Sequence, residues 1–373
     1  MDSALLTTSG PGIVYTVIVF LAALSLLVFV HEWGHYIVAR LFGVRVEVFS
    51  IGFGREVTGW TDRHGTRWKI SLLPLGGYVR FFGDAGAASN PSAQVAEMPE
   101  SERAVSFHHK SIPVRAAIVS AGPAINILFA ILVYAGMFMV SGQEIAPPRV
   151  DEVMPDTPAA EAGLRAGDLI VSVNGQETET RRDLIRLVSL YPGQEITLTL
   201  QRDGRDMTLA AVPERRALED RFGNEYVRGQ LGVMLGGEPV MLRYGPIGAL
   251  GAAADETVST MRMMLVVVGQ VVMGVRSVDE LGGPVRIAKM TGEYASLGFI
   301  AFLQFLALIS INLGLINLFP IPTLDGGHLL LYVFEAVKGS PLSMRAQEIG
   351  FMLGFALIVS LMLLVTWNDL VSL

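Results

Sequence analysis

Long uncharged apolar stretches, separated by charged and glycine-punctuated segments, dominate the pattern along this chain. Four of them are long enough to cross about 30 Å of hydrocarbon at about 1.5 Å per helical residue. They predict transmembrane helices at 12–39, 113–141, 297–323 and 345–367. A fifth apolar run, 263–275, is too short to span and predicts an interfacial or re-entrant helix.

The segments between these helices have other periodicities. Residues 40–112 contain strand-like runs punctuated by glycine, which predict a re-entrant β-hairpin with an exposed edge strand at 76–79. Residues 142–240 mix helix-like and strand-like runs with turn signals such as Asn174-Gly175, so they predict one inserted α/β domain. Residues 241–296 predict interfacial amphipathic helices around a Gly-Gly-Pro-Val loop.

Composition narrows the class of protein. Hydrophobic residues make up 51% of the chain and charged residues only 17%, whereas an average globular domain is about 25% charged. The net charge of −7 and the lack of a long basic run argue against nucleic-acid binding. The predicted fold class is a multi-pass α-helical membrane protein with four transmembrane helices, a membrane-associated β-region and one inserted domain.

Positive charges near the predicted helix ends indicate the orientation. Lysine and arginine flank 40–112 and the link between the third and fourth helices, so both segments are predicted to be cytoplasmic. Neither end of the chain carries Lys or Arg beyond the outermost helices, so both termini and the inserted domain are predicted to lie outside. Because the first apolar run leads directly into functional-looking residues, we interpret it as a retained helix rather than a signal peptide.

A His-Glu-Trp-Gly-His sequence at 31–35 ends the first apolar run. Residues four apart share a helix face, so His31 and His35 can bind one metal ion with Glu32 beside them. A charged group at this depth costs at least about 2.5–3.5 kcal/mol, so these residues need partners or a function. The motif predicts zinc-dependent hydrolysis within a membrane; the alternative is a satisfied pair of interfacial histidines.

A catalytic zinc needs a third protein ligand and one open position for water. The chain has no cysteine, so that ligand must be His, Asp or Glu. Asp325 is the best candidate, because Pro320 and Pro322 interrupt the third helix just before it. The alternative role of Asp325 is a helix N-cap, and the rival ligand is His328.

Together, H-E-W-G-H and the N-x-x-P-x-P-x-L-D-G-G sequence that starts at Asn317 resemble the site-2 protease family of intramembrane zinc metalloproteases, peptidase family M50. The sequences F-S-I-G-F-G, L-G-G-Y-V and L-G-G-P-V resemble its bacterial regulator of sigma-E protease branch. The inserted domain resembles a PDZ domain, and its ligand loop would comprise Arg228, Gly229, Gln230, Leu231 and Gly232. The alternative for that loop is a surface hairpin.

The resemblance implies one Zn²⁺ per chain, held by His31, His35 and Asp325, with Glu32 as the general base. It also implies substrate-binding residues, namely Asn312, Asn317, Gly76, Gly77, Tyr78 and Val79. The edge strand would pair with an unwound substrate. The alternative for the two asparagines is interhelical hydrogen bonding, and Asn126 carries the same two alternatives.

The implied substrates are single-pass membrane proteins, such as an anti-sigma factor already trimmed by a site-1 protease, or remnant signal peptides. The implied location is the bacterial inner membrane, with the PDZ-like domain in the periplasm and the active site toward the cytoplasm. Two other functions are alternatives. A non-catalytic PDZ scaffold would bind no zinc, and a metal transporter would need carboxylates and histidines along a path, which 116–140 and 349–366 lack.

Overall fold

The structure is a computed structural model that describes residues 12–86, 95, 97–219, 225–277, 282–340 and 342–371. Its internal contacts divide the chain into two units. The membrane unit contains the chain up to Val133 and from Gly282 onward, and the inserted unit is Tyr134–Leu281. Leu281, the first residue of the predicted L-G-G-P-V loop, lies outside the described residues.

The described secondary structure consists of helices and β-strands. In chain order the helices are α1 (Ile13–Leu41), α2 (Glu100–Arg103), α3 (Ile112–Val140), α4 (Pro158–Glu161), α5 (Arg181–Ser189), α6 (Pro246–Val272), α7 (Pro284–Ser296), α8 (Phe299–Asn317), α9 (Asp325–Lys338) and α10 (Met344–Val371). The strands are β1 (Val46–Thr61), β2 (Arg67–Phe81), β3 (Gln143–Ile145), β4 (Val150–Val153), β5 (Leu169–Val173), β6 (Gln176–Glu177), β7 (Ile196–Arg202), β8 (Arg205–Ala211), β9 (Glu214–Glu219), β10 (Glu225–Gln230), β11 (Val233–Leu235) and β12 (Val240–Leu242).

Four helices of the described chain, α1, α3, α8 and α10, are long and apolar enough to cross a membrane. Their number and order agree with the sequence prediction. The third differs at its end, because α8 stops at Asn317 rather than at 323. Pro320 and Pro322 cannot donate a backbone hydrogen bond and their rings clash with the preceding turn, so the helix cannot continue through them.

The chain folds back tightly between α8 and α9. A Cβ added at Gly326 would meet the carbonyl oxygens of Leu318 and Phe319, and one at Gly327 would meet that of Ile321. Only glycine permits so close an approach of two backbone segments without displacing one of them. The two glycines after Asp325 therefore set the distance between the end of α8 and the first turn of α9, and thereby the position of Asp325.

Strands β1 and β2 each bend at glycines and form four paired segments. Residues 48–51 of β1 pair with 77–80 on one side and with 67–70 on the other. The latter segment also pairs with 58–61. The bends fall near Gly52 and Gly54 in β1 and near Gly76 in β2, which all have positive φ angles. Among the described residues, no strand pairs with the outer edge of 77–80.

The inserted unit contains a four-stranded antiparallel sheet in the order β6-β5-β7-β8. Alternate residues of β7 point into its core, where Ile196, Leu198 and Leu200 are almost fully buried. Helix α5 packs Leu184, Leu187 and Val188 onto the same cluster. A reciprocal capping box between Thr180 and Asp183 starts this helix.

The apolar run 263–275 forms most of the second half of α6, a helix of 27 residues. Its residues Met263, Val266 and Val267 pack against the core of the inserted unit. In the same contact, Glu256 of α6 forms ion pairs with Arg182 and Arg186 of α5. The apolarity of this run is therefore used at least in part for packing within the inserted unit.

Candidate metal centre

Two histidines on α1 and one aspartate on α9 meet in the membrane unit. His31 and His35 lie one helical turn apart and are both buried, with 9% and 8% of their surface exposed. Their Nε2 atoms are 3.2 Å apart. Asp325 Oδ2 lies 3.2 Å from Nε2 of His31 and 3.5 Å from Nε2 of His35. The three atoms thus form a nearly equilateral triangle, and they are the group of possible metal ligands found among the described residues.

This triangle fits a zinc ion. Tetrahedral ligands that bind zinc at about 2.0–2.1 Å lie about 3.3 Å from one another, close to the three distances in the structure. Oδ2 of Asp325 is buried and has no hydrogen-bond partner, although two imidazole nitrogens lie near it. A cation bound among the three atoms would supply the missing partner.

Asp325 does not act as a helix cap. It is the first residue of α9, and the N-cap position is occupied by Leu324, which makes no side-chain capping bond. His328 lines the same cavity, but its ring lies against Phe351, with 5.2 Å between ring centroids. The described structure therefore places Asp325, rather than the rival His328, beside the two histidines of α1.

Helix α3 packs against both imidazoles and offers each a polar partner at Nδ1. Nδ1 of His35 donates a hydrogen bond to the carbonyl oxygen of Ile118, over 2.9 Å. This bond leaves the lone pair on Nε2 free for a metal. Nδ1 of His31 lies 3.1 Å from Nδ2 of Asn126. A Cβ added at Gly122 would meet Nε2 and Cε1 of His35, so the rings occupy the space where a side chain would be.

Glu32 lines the same cavity as the three ligand atoms. Its side chain is buried beside β2, where a Cβ added at Gly77 would lie 3.1 Å from Cγ of Glu32. The same added atom would lie 2.7 Å from Cγ1 of Val28 and 2.7 Å from the carbonyl oxygen of Ser50. The absence of a side chain at position 77 therefore allows the strand to lie against the carboxylate.

The cavity has a volume of about 860 Å³ and opens along the predicted substrate-binding strand. Gly76, Gly77, Tyr78 and Val79 all line it. Asn317, at the end of α8, lines it too, but Asn312 is not among the lining residues. Five residues turn a helix by about 140° beyond a full turn, so the two asparagines point in different directions.

The sequence did not predict the contribution of α10 to the cavity. This helix adds four lining residues, namely Phe351, Met352, Phe355 and Ile358.

The predicted PDZ ligand loop lies at the end of β10 and in the turn to β11. Arg228, Gly229, Gln230, Leu231 and Gly232 line a groove of about 270 Å³ together with Leu184, Ile185 and Val188 of α5. Gly232 has a positive φ angle and packs against Thr157. The loop and the helix face each other across this groove, which is the arrangement expected for binding an extended peptide.

Comparisons with known proteins agree with this geometry. The model of peptidase family M50 matches residues 19–361. A relative from Agrobacterium fabrum, provisionally named a zinc metalloprotease, is 44% identical over 361 residues and covers 96% of each chain. A relative from Brucella suis with the same kind of name is 44% identical and covers 98% of each chain. Protease RseP from Yersinia pestis is 33% identical, covering 96% of this chain and 99% of its own. The chain therefore belongs to peptidase family M50 and is a zinc metalloprotease of that family.

Proposed function

We propose that this protein hydrolyses a peptide bond within or near the transmembrane segment of single-pass membrane proteins. One observation carries the proposal. The His31–His35–Asp325 triangle, Glu32 and strand residues 77–79 line a single cavity in the unit that contains helices apolar enough to span a membrane. Among the described residues, no strand pairs with the outer edge of 77–80. A scaffold that only captured partners would need the groove of the inserted unit but not this arrangement of ligands and base.

The chain supplies positioning and proton transfer. His31, His35 and Asp325 would hold one zinc ion, whose chemistry when bound is to polarise the scissile carbonyl and to lower the pKa of a coordinated water toward about 7. Glu32 accepts the proton of the attacking water and returns it to the leaving amine. Its burial beside the ligands keeps the carboxylate close to where the water must be activated.

Strand 77–80 would hold the substrate. A transmembrane helix hides its peptide bonds in its own hydrogen bonds, so it must be unwound before hydrolysis. The outer edge of 77–80, with which no described strand pairs, offers backbone groups that can pair with the unwound segment. Asn317 lies at the same cavity and can hydrogen-bond a backbone group of that segment, whereas the position of Asn312 favours an interhelical role.

We further propose that the cavity lies toward the cytoplasmic side of a bacterial inner membrane and the inserted unit in the periplasm, as the distribution of Lys and Arg predicts. The PDZ-like groove would contact substrates or control their access. An anti-sigma factor already cut by a site-1 protease, and remnant signal peptides, are the proposed substrate classes. The alignment with the Yersinia protein is longer than this chain, so that relative contains residues without counterpart here.

The experiment is cleavage of a single-pass test substrate by purified protein in detergent or liposomes. Glu32→Gln should retain the fold and one zinc per chain but lose cleavage, because only the proton acceptor is removed. A chelator should abolish the activity of the wild type, and added zinc should restore it.

A matched control is Glu293→Gln, which neutralises another buried carboxylate of the membrane unit that does not line the cavity. Cleavage by this variant should persist. Cleavage that survives in Glu32→Gln would exclude the proposed mechanism with Glu32 as general base, whereas a wild type that neither binds zinc nor cleaves the substrate would favour the scaffold.

A further inference from the structure

One face of α3 packs against both histidine rings. Ile118, Gly122 and Asn126 are spaced by four residues and therefore lie on the same face of the helix. Ile118 offers a carbonyl oxygen to Nδ1 of His35, Gly122 offers space, and Asn126 offers its amide to Nδ1 of His31. All three residues contact an imidazole, but none of them is among the residues that line the cavity.

The amide of Asn126 is incompletely satisfied. The residue is 0% exposed. Its Nδ2 lies 3.1 Å from Nδ1 of His31, whereas its Oδ1 has no hydrogen-bond partner. A histidine that binds zinc through Nε2 carries its proton on Nδ1, and that proton needs an acceptor. A half-turn of the amide exchanges Nδ2 and Oδ1 and turns the oxygen toward Nδ1 without moving either helix.

The backbone of Asn126 is held in place from α8. Oγ of Ser310 donates a hydrogen bond to the carbonyl oxygen of Asn126 over 2.9 Å. Gly314 lets α8 approach closely, because a Cβ added there would lie 3.4 Å from Cβ of Asn126 and 3.0 Å from the carbonyl oxygen of Pro123. The side chain thus projects from a fixed backbone toward α1, and it is not available to bind substrate in the cavity.

We propose that Asn126 is a positioning residue for the metal centre. Its amide oxygen accepts the Nδ1 proton of His31, fixes the tautomer of that ring and directs Nε2 toward the ion. The backbone carbonyl oxygen of Ile118 accepts the Nδ1 proton of His35 in the same way. This inference rests on the proposed zinc site, but it concerns metal affinity and does not depend on what the enzyme cleaves.

The test is the zinc affinity of the purified full-length protein, measured by competition with a chromogenic chelator. Asn126→Leu keeps the branching and the number of side-chain heavy atoms and removes the acceptor, so zinc affinity should fall about 10–100-fold. Asn126→Asp restores an acceptor at the same position and should lie within about threefold of the wild type. Asn126→Ala serves if the leucine variant does not fold, as judged by size-exclusion chromatography in detergent.

Two controls separate positioning from general damage. Ser310→Ala removes the other hydrogen bond at Asn126 but leaves the amide in place, so zinc affinity should not change. His31→Ala removes the ligand itself and should abolish tight binding. The inference is overturned if Asn126→Leu binds zinc with the affinity of the wild type. It is also overturned if the zinc affinity of Asn126→Asp is as low as that of Asn126→Leu. If His31→Ala also binds like the wild type, the proposed zinc site fails with it.

Discussion

Two aspartates withdrawn from water, one in each unit, are stabilised in different ways. Asp168 in the inserted unit is 0% exposed and accepts two hydrogen bonds of 2.7 Å from Arg202 and one of 2.9 Å from the backbone N–H of Arg165. Asp325 in the membrane unit is 18% exposed, and its Oδ2 faces two imidazole nitrogens without a hydrogen-bond donor.

The difference separates a carboxylate used for stability from one used for function. A buried charge is tolerated where its own chain supplies hydrogen bonds and a counter-charge, as Arg202 does for Asp168. Asp325 lacks that set of donors, so its environment is complete only with a cation. Removing the Asp168 carboxylate should therefore lower stability without affecting metal binding. Removing the Asp325 carboxylate should abolish metal binding without lowering the stability of the metal-free protein.

Asp325→Asn should produce the largest effect. The amide is a poor zinc ligand, so the variant should lose tight zinc binding, and cleavage of a test substrate should fall below detection. The metal-free protein should be no less stable than the wild type, because the substitution removes a largely buried charge. Zinc content and the urea midpoint of the chelator-treated protein test both statements.

Asp369→Asn is the control for that variant. Asp369 is also buried in the membrane unit, but it accepts hydrogen bonds from the backbone N–H groups of Gly283 and Arg286 at the start of α7. It should retain zinc. If metal-free Asp325→Asn were less stable than the metal-free wild type, the Asp325 carboxylate would be stabilised by contacts within the chain, as Asp168 is.

Gly122→Ala tests how closely the ligand geometry is fixed. The added methyl group would clash with Nε2 and Cε1 of His35, so the ring would have to leave the position from which it could bind zinc. Zinc affinity should fall by about 100-fold or more, the upper end of what changes behind a ligand cause. On the same helix, a Cβ at Gly136 would meet no atom within 4 Å, so Gly136→Ala should leave zinc affinity unchanged. Equal affinities of the two variants would contradict the close packing at Gly122.

The three residues that meet in the membrane unit were predictable from sequence, but the contributions of Ile118 and Gly122 were not. His31 and His35 form a local motif, and the prolines before Asp325 marked a broken helix. By contrast, α3 contributes to the site through a carbonyl oxygen at Ile118 and through the absence of a side chain at Gly122. Neither has a chemical signature in a sequence.

The β-region shows the same limit. The glycine-punctuated runs predicted an exposed edge strand at 76–79, but the sequence did not show that 48–51 would pair with 67–70 on one side and with 77–80 on the other. Pairing between distant segments depends on register, which short glycine-interrupted strands specify weakly. The role of the run at 263–275 was likewise hidden, because apolar residues suit a membrane interface and a protein core equally well.

Asp168→Asn should affect stability without affecting zinc. It removes the counter-charge of Arg202, whose side chain is only 15% exposed, and should destabilise the inserted unit by about 2–3 kcal/mol. Asp206→Asn, which alters an exposed hydrogen bond to Gln201 in the same sheet, should change stability by less than about 0.5 kcal/mol. Hydrogen exchange of peptides from the inserted unit, measured in the full-length protein across a urea series, distinguishes the two. A loss of zinc from Asp168→Asn would argue against independent roles.

The smallest effect concerns pH, and its sign follows from the hydrogen bonds of Asp168. Burial alone would raise the pKa of this carboxyl, but the hydrogen bonds from Arg202 and from the backbone N–H of Arg165 outweigh it and hold the pKa below its ordinary value. Because the folded protein binds the proton less readily than the unfolded chain, the stabilisation is fully present at neutral pH. It begins to fall as the pH drops below the ordinary pKa of an aspartate, about 3.9, and disappears as the folded protein is protonated. The measurement again uses hydrogen exchange of peptides from the inserted unit, because all four tryptophans lie in the membrane unit and their fluorescence would not report on it.

From the lowered pKa of Asp168, the stability difference between the wild type and Asp168→Asn should be constant from pH 7 to about 5 and should narrow toward pH 3. A difference that widened on acidification would mean that Asp168 is protonated in the folded protein, and the contrast with Asp325 would then need another explanation.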